Sequence, residues 1–330
     1  MPKLLCGGKA VELGPTETVL EGLLRAGLTV AHSCRAGACQ SCLVRATEGL
    51  VPSEAQVGLK DTQKAEGYFL ACSARPKTDL AVSLPDQAEG LTPAHITHVA
   101  WLAESVLRVE LAPTKTFAYR AGQFVNVVRA DGLTRSYSLA NLPGDGPTLT
   151  LHVRVVSQGR MSTWLASPGA LGALVNLRGP AGSCFYVEGR PTQPLLLVGT
   201  GTGLAPLYGI LRDALRAGHS GPIRLFHGAR TPRGLYLQDE LRALASTHPQ
   251  VSYTACVREG AGEAGVTVGA LDELAMSAGA AKDQRVFLCG DPTLVTALRK
   301  RAFLAGARLR DIYSDPFILA PPPGPSTEAA

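Results

Sequence analysis

Ser33-Cys34-Arg35-Ala36-Gly37-Ala38-Cys39-Gln40-Ser41-Cys42-Leu43-Val44 carries three cysteines in C-x4-C-x2-C spacing, and Cys72 follows after 29 intervening residues. Three close thiolates and one distant one are the ligand set that a 2Fe–2S cluster takes. The close triplet demands a tight loop. Gly37 lets that backbone fold over the sulfides, where amide N–H groups tune the potential. A structural zinc site usually pairs its ligands as two C-x2-C units, and no second unit exists here. A disulfide framework suits small secreted domains, not a 330-residue chain without a signal-peptide pattern. Cys34, Cys39, Cys42 and Cys72 are therefore expected to ligate a 2Fe–2S cluster.

Outward from this loop, a length of 330 residues fits two or three domains. A hydrophobic share of 45% and a charged share of 18% describe a globular chain with ample core material. The net charge of +5 is scattered without a basic run, which argues against nucleic acid. Pro191–Leu211 is uncharged over 21 residues, but its Gly-Thr-Gly-Thr-Gly centre and three prolines argue against a membrane span. A phosphate loop explains that stretch better. Met1-Pro2-Lys3-Leu4-Leu5-Cys6 runs straight into glycines and shows no secretory pattern, and eight cysteines then suit a reducing, cytoplasmic setting.

Taken in order, residues 1–13 read as a hairpin turned at Gly7-Gly8. Thr18-Val19-Leu20-Glu21 has the form of a capping box that opens a helix ending at Gly27. Strands at Leu43–Ala46, Phe69–Ser73 and Leu80–Leu84, with a helical turn near Gln56–Lys60, complete a small α+β module over residues 1–88. Asp86–Pro93 reads as a linker. Short strands then recur at His95–Leu102, Val106–Leu111, Gln123–Arg129, Arg135–Leu139, Leu149–Val156 and Leu174–Arg178. They predict a closed antiparallel β-barrel over 93–190. From Pro191 strands alternate with helices as far as a last strand at Leu309–Tyr313. That alternation predicts an α/β doubly wound parallel sheet over 191–319. Residues 320–330, with four prolines, read as a mobile tail.

Two further motifs carry chemistry. In Arg135-Ser136-Tyr137-Ser138, alternation puts Arg135 and Tyr137 on one strand face. Gly159-Arg160-Met161-Ser162-Thr163 reads as a turn entering a helix with Ser162 as its cap, a form that can hold a pyrophosphate through backbone N–H groups.

The ordered set of ferredoxin cysteines, Arg-x-Tyr-Ser, Gly-x-x-Ser, Gly-Thr-Gly-x-Gly-x-x-Pro and a late Cys-Gly resembles the ferredoxin–NADP reductase superfamily. More closely, it is similar to the iron–sulfur flavoprotein reductase components of bacterial aromatic-ring dioxygenases and multicomponent monooxygenases. The resemblance covers residues 1 to about 318 and implies a multidomain chain, with a plant-type ferredoxin fold, an FAD-binding barrel and an NAD(P)-binding α/β domain. It implies that Arg135 pairs with the FAD pyrophosphate, that Tyr137 stacks on the isoalloxazine and that Ser138 hydrogen-bonds near N5. It also implies that His152, Val153 and Arg154 line the flavin, and that Gly159, Met161, Ser162 and Thr163 hold the pyrophosphate. An Arg fork suits a diphosphate and an aromatic face suits the ring.

In the last domain Gly201, Thr202 and Gly203 would meet the dinucleotide phosphates, with Pro206 in the first helical turn. Cys289 and Gly290 would lie beside the nicotinamide, although Cys289 also reads as a buried small hydrophobe. Phe317 resembles the C-terminal aromatic that shields the flavin, with Tyr313 as the other candidate. Ser138, Cys289 and Phe317 are the expected catalytic residues. Cys6, Cys184 and Cys256 read as structural, and His32, His95, His98, His219, His227 and His248 as ordinary. No acidic residue stands in Gly228-Ala229-Arg230-Thr231-Pro232-Arg233 to bind a ribose 2′-OH, and Arg230 could meet a 2′-phosphate. The resemblance favours NADH, with NADPH still open.

What the resemblance implies is a reductase passing electrons from NAD(P)H through FAD and the cluster, one at a time, to a terminal oxygenase component or a separate ferredoxin. The acceptor would dock near Arg35 and Arg45. A reductase serving a deoxysugar dehydratase and a redox sensor without turnover are the alternatives.

Overall fold

A computed structural model describes residues 1–38, 40–59, 63–64, 67–84, 91–260, 264–277 and 282–319. Two compact units form, one of Met1–Leu91 with Asp131–Ser136 and the chain from Ile318, the other of Thr92–Ala130 with Tyr137–Phe317.

In the first unit, β1 (Lys3–Cys6) and β2 (Lys9–Glu12) make the hairpin turned at Gly7-Gly8. Thr18 caps α1 (Val19–Arg25): the Glu21 N–H donates to Thr18 Oγ1 at 3.3 Å, and Glu21 Oε2 accepts from the Thr18 N–H at 2.8 Å. This reciprocal pair satisfies two donors that a helix start otherwise leaves open. The helix buries Val19, Leu20 and Leu23 against β3 (Leu43–Glu48), β4 (Tyr68–Leu70) and β5 (Leu80–Ser83) in one core. Strand order is β2-β1-β5-β3-β4. The helical turn expected at Gln56–Lys60 is instead a 3-10 turn at Ser53–Gln56. It starts after Pro52 and stops where Val57 turns extended; Lys60 lies outside the described residues.

The second unit begins with β6 (Leu91–Ala103). Its first three residues had been read as linker, but Thr92, Ala94 and Ile96 continue one buried face, and that period of two marks strand. Pro93 is tolerated near the strand's start, where its carbonyl accepts from the Thr114 N–H at 2.8 Å. β7 (Val106–Pro113), β8 (Phe124–Val128), β9 (Thr134–Ser138), β10 (Leu149–Arg154) and β11 (Leu174–Ala181) complete an antiparallel sheet in the order β10-β7-β6-β11-β8-β9. An antiparallel bridge between Leu139 and Leu151 joins the two ends and closes the barrel. A short helix, α2 (Arg160–Leu165), follows β10.

The chain then builds β12 (Leu195–Thr200), α3 (Leu204–Arg216), β13 (Ile223–Ala229), α4 (Gln238–Thr247), β14 (Val251–Val257), β15 (Val266–Val268), α5 (Leu271–Ser277), β16 (Arg285–Gly290), α6 (Pro292–Leu304) and β17 (Ile312–Pro316). All strand pairs here are parallel, in the order β15-β14-β13-β12-β16-β17. The order reverses between β12 and β16, so a ligand crevice belongs at the carboxyl ends of those two strands. The strand read at Leu309–Tyr313 is corrected: Leu309–Asp311 is a 3-10 turn and β17 runs on to Pro316. Asp311, the last residue of the turn, is buried, and its carboxylate accepts from the Arg190 guanidinium.

Barrel and sheet meet across Gly122. Its φ is +94°, and a Cβ there would lie 2.3 Å from the Cys184 carbonyl oxygen and 2.8 Å from Ile210 Cγ1 in α3. Gly122→Ala is therefore expected to lower stability by about 2 kcal/mol, a fall of roughly 4–8 °C in the thermal midpoint. An unchanged midpoint would mean that the two layers do not depend on this approach.

Candidate functional site

Local backbone shapes the cysteine loop. Arg35, Gly37 and Gln40 all have positive φ, at 54°, 75° and 55°, which bends the loop tightly. The Ala36 N–H donates to Cys34 Sγ at 3.4 Å and the Gly37 N–H to Cys72 Sγ at 3.3 Å. Across the loop the Cys72 N–H donates to Cys42 Sγ at 3.5 Å. These donors favour sulfur as thiolate, the form that binds metal. Cys34, Cys42 and Cys72 are buried together at this loop, and Cys39 lies outside the described residues. The donor set fits a 2Fe–2S cluster.

On the barrel, β9 leaves Arg135 and Tyr137 half-buried and Ser138 buried. The Ser138 hydroxyl donates to Asp315 Oδ2 at 3.5 Å. In β10, Val153 points into the barrel core while Arg154 is exposed. His152 is buried, with its Nδ1 3.2 Å from the Tyr236 hydroxyl. At α2 the expectation for Ser162 is corrected, because Gly159 is the cap and Ser162 is the third helical residue. Its hydroxyl bonds backward, donating to the Gly159 carbonyl at 3.3 Å and accepting from the Val156 N–H at 3.2 Å. Thr163 is exposed, and its N–H closes the first turn on the Gly159 carbonyl. Met161 is buried.

Along the sheet edge, Gly201–Gly203 form a 3-10 turn leading into α3, with Pro206 in the first helical turn. A Cβ on Gly203 would sit 2.3 Å from the Cys289 carbonyl oxygen, so only glycine lets the loop lie on β16. Cys289 is buried, with its Sγ 3.6 Å from that of Cys184. Burial, and then the Cys184 contact, push its thiol well above the ordinary range. Asp291 caps α6 by accepting from the Leu294 N–H at 3.0 Å. Beyond Gly290, the Phe317 N–H donates to the Gly290 carbonyl at 2.7 Å, leaving Phe317 half-buried just past β17. Tyr313 stacks on Phe287 at 5.0 Å inside the sheet's core, away from the strand end.

Three partners had no signal in the sequence. Asp315 lies next to Cys289 in the β16–β17 register and also meets Ser138 from the barrel. Tyr236 packs edge-on between His152 and His227, with ring centroids 5.2 and 5.3 Å away. The sequence marks His152 as flavin-lining and His227 as ordinary; burial lowers their pKa values to about 3 and about 4, so both stay neutral. Arg230 is exposed, and its Nε lies 3.5 Å from Glu259.

Three family descriptions match successive parts of the chain. The 2Fe-2S iron-sulfur cluster binding domain matches residues 5–77, the oxidoreductase FAD-binding domain 96–186 and the oxidoreductase NAD-binding domain 197–300. The reductase component of the naphthalene 1,2-dioxygenase system of Pseudomonas putida is 31% identical, over 91% of this chain and 93% of the relative. The chain belongs to the iron–sulfur flavoprotein reductases of oxygenase systems. The aromatic O-demethylase reductase subunit of an Amycolatopsis species is 33% identical over 88% of this chain and 91% of its own. A crystal structure of the Amycolatopsis cytochrome P450 reductase GcoB superposes with a TM-score of 0.69 at 31% identity, covering 96% of this chain and 99% of that one. As a member of this family the chain is an oxidoreductase whose domains serve a 2Fe–2S cluster, FAD and NAD.

Asp315 retains some surface, but protein packed about its carboxyl raises its pKa to about 7, against the smaller opposing effect of the Ser138 bond. An unfolded aspartate loses its proton near about 4. The stability held by the folded, protonated carboxyl is complete below about pH 4 and is lost as pH rises through 7. Asp315→Asn is therefore expected to flatten the decline in thermal midpoint between pH 4 and pH 7. An equally steep decline in the variant would place the titration elsewhere.

Proposed function

We propose that this chain takes hydride from NADH at the edge formed by β12, β16 and β17. From there it delivers electrons singly, by way of the cysteine loop, to the oxygenase component of a ring- or hydrocarbon-oxidising system. The observation that carries the reading is the meeting of barrel and sheet at Asp315. There Ser138 from β9 and Cys289 from β16 come to one acidic residue. When bound, the flavin exchanges two electrons with nicotinamide and one at a time with the cluster, which a one-electron acceptor requires.

The chain's own residues have separable tasks in this reading. Arg135 presents a guanidinium to the FAD pyrophosphate, and Tyr137 offers a ring face to the isoalloxazine. Gly159, Met161, Ser162 and Thr163 border the pyrophosphate, and His152 with Arg154 borders the flavin strand. Gly201, Thr202 and Gly203 approach the dinucleotide phosphates, while Cys289, Gly290 and Phe317 border the nicotinamide. Burial at Ser138, Cys289 and Gly290 excludes water from the reacting face. Asp315 can hold a proton near neutral pH and share it with the Ser138 hydroxyl. Among the described residues no helix is long and apolar enough to cross a membrane. The cysteine usage supports a cytoplasmic setting.

The purified holoprotein is expected to carry about two iron and two acid-labile sulfide atoms per chain. Cys72→Ala should abolish the cluster spectrum and reduction of a one-electron acceptor such as cytochrome c, while NADH still bleaches the flavin. Loss of both activities with FAD retained would contradict the separation of the two centres. Arg135→Ala should release FAD on gel filtration by removing a bidentate, charge-assisted partner. Full retention would take Arg135 out of the flavin site.

A further inference from the structure

Residues 228–233 contain two arginines and no acid, a composition that suits a 2′-phosphate. The fold changes that reading. β13 and β14 continue their pairing past the ends of both strands: the Arg258 N–H donates to the Ala229 carbonyl at 3.2 Å, and the Glu259 N–H donates to the Arg230 carbonyl at 2.9 Å. The backbone thus fixes Glu259 beside Arg230. Its carboxylate Oε1 lies 3.5 Å from Arg230 Nε, with both side chains open to solvent. A Cβ on Gly260 would lie 3.1 Å from Pro232 Cδ, so the two turns run side by side. Arg233 faces a carboxylate too, since its Nη1 lies 3.7 Å from Glu104 Oε1. Both arginines of residues 228–233 therefore already have acidic neighbours, while Arg258 beside them is exposed.

The place matters as much as the charge. β13 lies directly beside β12, whose end leads into the glycine turn, and Gly228 pairs with Thr200. Arg230 and Glu259 stand just beyond that level, at the carboxyl edge where the adenosine half of a dinucleotide reaches from the phosphate loop. A carboxylate there accepts a hydrogen bond from a ribose 2′-OH and repels a 2′-phosphate.

We infer that Glu259 is the residue that selects NADH over NADPH, by neutralising Arg230 and accepting from the ribose 2′-OH. This rests on the hydride-transfer reading above. Removing one negative charge about 5 Å from a dianionic phosphate, in an exposed high-dielectric setting, is worth about tenfold in relative affinity.

The test uses the holoprotein and anaerobic stopped-flow reduction of its flavin by NADH and by NADPH. Glu259→Gln should raise the ratio of kcat/KM for NADPH to that for NADH about tenfold at low salt, and less at high salt. Adding Arg230→Ala to this variant should remove most of the gain. A folded, FAD-loaded Glu259→Gln protein with an unchanged ratio would overturn the role of Glu259. If neither nucleotide reduces the wild-type flavin, the hydride-transfer reading itself fails, which is a separate result.

Discussion

At Gly122 the barrel backbone touches the first helix of the nucleotide sheet, in a space that no side chain can share. The edge where Ser138, Cys289 and Asp315 meet is built on that approach. It fits Cys184 of the barrel into the same core as Leu207, Ile210 and Cys289. Nearby, the Asp145 carboxylate accepts from both ends of the Arg212 guanidinium, at 2.7 and 3.1 Å. Such a fork fixes orientation as well as distance. Tyr236 adds a hydrogen bond to His152 from the other side. With two layers pinned this way, Ser138, Cys289 and Asp315 keep their relation although they come from three separate strands.

Burial also sets the electrostatics of this interface. His152 and His227 are neutral at any physiological pH, and the Tyr236 hydroxyl is pushed well above its ordinary value. A buried cluster whose members stay neutral holds its geometry as pH changes. Asp315 is the exception, since its carboxyl sits at about 7 and exchanges its proton under working conditions. A carboxyl that titrates near neutral pH beside buried groups that stay neutral is the pattern expected of a functional residue rather than of a packing residue.

The parts of the site written in short stretches were legible in the sequence. Cys34, Cys42 and Cys72 announce themselves by spacing, and Gly201 to Pro206 by standing between a strand and a helix. Both signals are local because the backbone itself must bend around its ligand. What stayed hidden comes from register between distant segments. Asp315 reaches Ser138 across 177 residues, and Cys184 reaches Cys289 across 105. Glu259 meets Arg230 only because β14 lies beside β13. Cys184 reads as structural and Asp315 draws no functional reading, since neither carries a motif of its own. The errors at Leu91–Pro93 and Leu309–Asp311 have the same root: a proline or a short apolar run gives no sign of the partner that decides its conformation.

The central claim is that one chain carries electrons from a nicotinamide to its iron–sulfur cluster. Anaerobic addition of NADH to the holoprotein, followed by absorption and by low-temperature electron paramagnetic resonance, tests this directly. The account predicts that NADH alone, with no mediator, bleaches the flavin and then brings up the signal of a reduced 2Fe–2S cluster. A flavin fully reduced by NADH beside a cluster that stays oxidised and silent would contradict it.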